Sequence, residues 1–115
     1  MPRDAYILHS EPVTIPDLIR VGATVDPDLT MRTLYEGVAV QFVGADYRSV
    51  LTVQAGRMLR DGSEIARLVP SAPAFSGETW FSEAFVPWDD GEVGLAILAA
   101  VATTLGATVI VEDGS

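Results

Sequence analysis

Between Val93 and Val111 the chain carries no charged residue. A stretch that long must be sheltered from water, so it dictates where the core lies. It opens after P-W-D-D-G-E, runs as VGLAILAAVATTL, meets Gly106, and continues as ATVIV before E-D-G. Asp89 or Asp90 can accept first-turn N–H groups, and Glu92 suits the positive end of a helix dipole. Gly106 can take the left-handed conformation that ends a helix. At about 100° per residue, Val93, Leu95, Ile97, Leu98, Val101 and Leu105 fill one broad arc. Ala96, Ala99, Ala100 and Thr103 form a second face with neither bulk nor charge, which suits a neighbouring helix or a second subunit. Thr108–Val111 is β-forming and apolar on both sides, which predicts an interior strand. A membrane span needs about 20 apolar residues in one helix. Gly106 divides the run and β-branched residues follow it, so the expectation is a packed helix and strand.

The rest of the chain alternates between strands and turns. Ala5–His9 reads as a first strand. Thr14, Pro16 and Asp17 are the start signals of a short helix over Ile15–Gly22, with Ile15, Leu18 and Ile19 inward. After a turn at Asp26-Pro27-Asp28 a return strand is expected, then a hairpin of residues 38–43 and 47–54. Asp61-Gly62 marks another turn. The segment Glu64–Val69 reads as a strand, with a short helix capped by Ser63 as the alternative. Residues 70–77 read as a loop. Along Trp80–Val86, Trp80, Ser82, Ala84 and Val86 face one way, and Phe81, Glu83 and Phe85 the other. With the last helix and strand this segment predicts a right-handed β-α-β crossover. The fold class expected is α+β in a single domain, 1–115. Its sheet is single, twisted and mainly antiparallel, ordered β-α-β-β-β-β-α-β, with the helices on one face.

Charge narrows the partners. Sixteen acids face seven bases, all arginine, for a net charge of −9. Nucleic acid is not expected as a direct partner, since phosphate binding needs cations. A basic protein is. With no cysteine there are no disulfides, thiolate metal sites or cysteine nucleophiles. The start, M-P-R-D-A-Y, has no apolar signal core, so a cytoplasmic protein is expected.

Catalytic signals are sparse. His9 is the one histidine, and the sequence supplies no group to hold its tautomer. G-x-S-x-G, G-x-G-x-x-G, G-K-[ST] and H-E-x-x-H are all missing. The carboxylate pairs Asp26/Asp28, Asp89/Asp90 and Glu112/Asp113 lack calcium-loop spacing and read as turns, caps and a tail. No cofactor, no metal and no enzymatic activity are expected. The binding candidate is Glu78–Glu92, where aromatics alternate with acids: Trp88, Asp89, Asp90, Glu83 and Glu78. Trp80 and Phe85 are expected in the core and Trp88 half-exposed.

Short length, one α+β domain, strong acidity and the ending A-I-L-A-A-V-A-T-T-L-G-A-T-V-I-V-E-D give the chain a resemblance. It resembles the small acidic immunity proteins of bacterial polymorphic-toxin and contact-dependent systems. That resemblance implies stoichiometric binding and occlusion of a toxin active site, without chemistry of its own. Two alternatives stand beside it: a self-associating structural or regulatory subunit, such as a homodimer, and a small-ligand protein or enzyme using His9, a serine or carboxylates.

Overall fold

The computed structural model describes residues 3–44, 47–61, 64–69, 77–87 and 91–112. One seven-stranded sheet organises them: β1 (Arg3–His9), β2 (Thr30–Leu34), β3 (Ala39–Val43), β4 (Ser49–Gln54), β5 (Arg57–Leu59), β6 (Thr79–Val86) and β7 (Thr108–Glu112). The helices are α1 (Ile15–Val25), α2 (Ile65–Leu68) and α3 (Gly91–Leu105). The strands lie in the order β2-β3-β4-β6-β1-β7, with β5 also on β6, and every pairing is antiparallel. This is the α+β single-sheet fold expected. Its element order is richer by one short strand, β5, and one helical turn, α2.

Helix α1 begins where the sequence places it. Thr14 and Asp17 form a capping box: the Asp17 N–H donates to Thr14 Oγ1, and the Thr14 N–H donates to Asp17 Oδ2, both at 3.2 Å. Two orphan donors of the first turn are thereby satisfied. The helix runs to Val25, a turn beyond the expected Gly22. Helix α3 ends at Gly106, whose φ of +71° is the left-handed stop predicted. Asp89 and Asp90, the expected caps of α3, lie outside the described residues.

The inner face of the sheet carries the main core. Ala5 and Ile7 of β1, Val40 and Phe42 of β3, Leu51 and Val53 of β4, and Ala84 and Val86 of β6 meet Leu18 and Val21 of α1 and Ile97, Leu98 and Val101 of α3. Gly94 lets α3 lie close to the sheet: a Cβ there would overlap the Val50 carbonyl oxygen. The outer face holds a smaller cluster of Leu8, Phe81, Ile65 and Val69 beneath α2. No helix among the described residues is long and apolar enough to cross a membrane.

Several expectations are corrected. The segment after Asp61 is helical at Ile65–Leu68, not a strand, and it lies on the face opposite α1 and α3. A strand would turn Ile65, Arg67 and Val69 the same way and bury the arginine. One helical turn brings Ile65 and Val69 together and leaves Arg67 and Leu68 exposed. Strand β7 is an edge strand, not an interior one. Its two apolar faces are both used, Val109 toward the main core and Ile110 toward the outer cluster, but burial of faces does not fix lateral position. Strands β6 and β7 both run antiparallel to β1, which separates them, so the β-α-β unit skips one strand. In β6 the fully buried aromatic is Phe81, whereas Trp80 and Phe85 are half-buried. Strand β4 starts at Ser49; Tyr47 sits in the preceding turn with φ +65°.

Candidate functional site

Strands β4 and β5 are one strand broken by a bulge. Thr52 and Val53 pair with Phe85 and Ala84, and Arg57, Met58 and Leu59 pair with Phe81, Trp80 and Thr79. Between these runs Gln54, Ala55 and Gly56 oppose only Ser82 and Glu83. An extra residue reverses the faces that follow it. Arg57 and Leu59 therefore reach the outer face, which in an unbroken strand would have taken Gly56 and Met58.

Beyond α2, none of the described elements covers the outer face. The strand registers align Arg32, Gln41, Thr52, Phe85, Asp4 and Glu112 in a row across six strands. Arg32 Nε donates to Gln41 Oε1 at 2.8 Å, and Gln41 Nε2 donates to Thr52 Oγ1 at 3.4 Å. The adjacent row sets Glu83, Tyr6 and Ile110 side by side. Tyr6 stacks on Phe81 with ring centroids 5.6 Å apart, and the Arg57 guanidinium lies 5.4 Å from the centre of the Phe81 ring.

Tyr6 lies among the acidic groups of this face. Burial raises its pKa above the ordinary 10.0, and the charges of Glu112, Asp4 and Glu83 raise it further. The phenol therefore stays protonated, a neutral hydroxyl among three carboxylates. A cavity of about 190 Å³ opens here, lined by Asp4, Ala5, Tyr6, Glu83, Ala84 and Phe85. A second, of about 100 Å³, shares Glu83 and reaches Arg57. A third, of about 390 Å³, is also lined by Arg57 and lies beside α2, against Glu64, Arg67 and Leu68. Together they trace a groove that is acidic at the β1–β7 end and basic at the β5–α2 end.

Of the residues expected to bind a partner, Glu83 lies at the centre of this groove, half-buried. Glu78 is exposed and precedes β6, five residues from Glu83 along an extended chain. At about 3.4 Å per residue the two carboxylates belong to different patches. Trp88, Asp89 and Asp90 lie outside the described residues. Sequence reasoning missed Asp4, Tyr6 and Glu112. The alternation of Asp4, Tyr6 and Leu8 against Ala5 and Ile7 is legible, but nothing local says that Glu83 and Glu112 flank the same tyrosine.

The remaining candidates resolve locally. Asp26 Oδ1 accepts the Asp28 N–H at 3.0 Å within the expected turn. Among the described residues no group of three or more His, Asp or Glu side chains is arranged to hold a metal ion. His9 ends β1 opposite Trp80, half-buried. Ala96, Ala99 and Thr103 are exposed and Ala100 is half-buried. No protein-family model, no curated protein and no solved structure matches this chain.

Proposed function

We propose that this chain is a non-enzymatic, inhibitor-like binding module that captures a basic partner protein, such as a toxin domain, in the cytoplasm. The observation that supports this reading is the convergence of Asp4, Glu83 and Glu112 on Tyr6, beside Phe85, on a sheet face that no described element covers. A lysine or arginine from the partner would find carboxylates to pair with and aromatic faces to lie against. Strands hold these groups in place, so little side-chain order is lost on binding. The net charge of −9 would steer the partner from a distance. Glu78, in its separate patch, and the acids Asp89 and Asp90 would add to that long-range attraction. Binding of this kind occludes the partner's working surface, as in immunity proteins, and needs no chemistry from the chain itself.

Surface plasmon resonance against the product of the adjacent gene, across a salt series, tests this. Exposed charges are screened over about 8–10 Å near physiological salt, so association slows as salt rises while dissociation changes less. Glu83→Lys lowers the association rate. Phe85→Ala and Trp88→Ala mainly raise the dissociation rate, by on the order of 2 kcal/mol at a hot spot. An acidic partner, or binding indifferent to salt and to these substitutions, overturns the reading.

A further inference from the structure

The largest of the three cavities has a character opposite to that of the whole chain. It is an open concavity of about 390 Å³, lined, among the described residues, by Arg57, Leu59, Glu64, Arg67 and Leu68. Two of the seven arginines of an acidic protein thus face one cavity. Neither is in an ion pair with any described residue, although Glu64 lines the same space. Arg57 is delivered by the β4–β5 bulge and held over Phe81. A guanidinium set against a ring keeps N–H donors free at its rim. Arg67 comes from α2, and the turn that buries Ile65 and Val69 turns it outward. Leu68, 46% exposed, and the half-buried Leu59 add an apolar wall.

We propose that this cavity is a binding site for a carboxylate carrying a short branched aliphatic chain. The charge balance selects the headgroup. Among the described lining residues, two guanidiniums less the Glu64 carboxylate leave one net positive charge, which matches a monovalent carboxylate better than a dianionic phosphate. The guanidinium fork fits a carboxylate in a bidentate manner. The leucines select the tail, since otherwise Leu68 stays in water. The volume sits at the small end of the roughly 300–1,000 Å³ typical of ligand pockets, enough for one small group. The same chemistry occurs in a free branched-chain acid and in the C-terminal residue of a polypeptide. The site is separate from the acidic end of the groove and stands whether or not a basic partner binds there.

The test is an NMR titration that follows the arginine Nε–Hε signals and the backbone amides of the full chain. N-acetyl-L-leucine is the small-molecule probe, and Gly-Gly-Gly-Leu with a free C-terminus is the peptide probe. Saturable shifts of the Arg57 and Arg67 signals with either probe support the site. Tighter binding of the peptide assigns a chain terminus as the source, and equal binding assigns a small acid. R67Q weakens binding about tenfold, the loss of one charge-assisted contact, with an unchanged backbone spectrum. E64Q strengthens it, because a like charge leaves the cavity. The proposal is overturned by equal shifts with N-acetyl-L-leucinamide, which lacks the charge, by shifts spread over all seven arginines, or by no saturable shift.

Discussion

Thr14 and Asp17 show how far one residue pair can set local stability. Hydrogen bonding from the Thr14 side chain, then from its backbone N–H, together with the charge of Arg20, holds the Asp17 carboxyl below the usual 3.8. A depressed folded-state pKa contributes stability above the unfolded value, and that stability is lost as pH falls through the folded one. Thr14→Ala is therefore expected to cost ~0.5–2 kcal/mol at neutral pH. The gap in denaturant midpoint between wild type and Asp17→Asn should close in acid; a gap constant with pH would mean that Asp17 acts by packing alone. Tyr6 works in the other direction. Its raised pKa contributes stability that is complete below 10.0 and lost as pH climbs through the folded value. Tyr6→Phe keeps the ring stacked on Phe81 and removes that alkaline loss. Equal alkaline sensitivity of the two proteins would show that the phenol does not titrate as its surroundings dictate.

Among the elements, α3 decides whether the main core closes. Ile97, Leu98 and Val101 are buried beneath it, while Val93, Leu95 and Leu105 are half-buried along its flanks. Val101→Ala is expected to cost ~1–3 kcal/mol in urea unfolding through lost burial and a cavity. Gly94→Ala is the opposite error. An added methyl at Gly94 meets the Val50 backbone, which cannot rotate away as a side chain could, so the helix must lift from the sheet. We expect Gly94→Ala to destabilise at least as much as Val101→Ala, although alanine is the better helix former. A variant as stable as wild type would mean that the contact relaxes cheaply.

Across the whole molecule, charge outweighs every local pair. Sixteen acids cannot be matched by seven arginines, so at least nine carboxylates repel their surroundings without a guanidinium of their own. Moderate salt screens repulsion and attraction alike, and repulsion is the larger here. Thermal scans at neutral pH should show Tm rising from low to physiological ionic strength. A falling Tm would mean that local pairs such as Arg20–Asp17 prevail over the net field.

Whatever depends on neighbours along the chain could be read without a structure. The cap at Thr14, the stop at Gly106, the alternation in β1, β3 and β6, and the apolar arc of α3 were all legible, because each is a spacing of a few residues. Acidity and the α+β class were legible for the same reason. Three things emerged only with the packed molecule. Packing set β1 between β6 and β7 and left β7 at the edge, since strand apolarity records covered faces and not lateral neighbours. It resolved Ile65–Leu68 as a helix, because only packing on Leu8 and Phe81 requires Ile65 and Val69 together and Arg67 apart. And it assembled the site. Asp4, Glu83 and Glu112 are distant in sequence and meet at Tyr6 through pairing registers, while the single residue inserted near Gly56 turns Arg57 toward the same face. Registers and bulges are set by the partner strand, so they become visible only when both strands are in place.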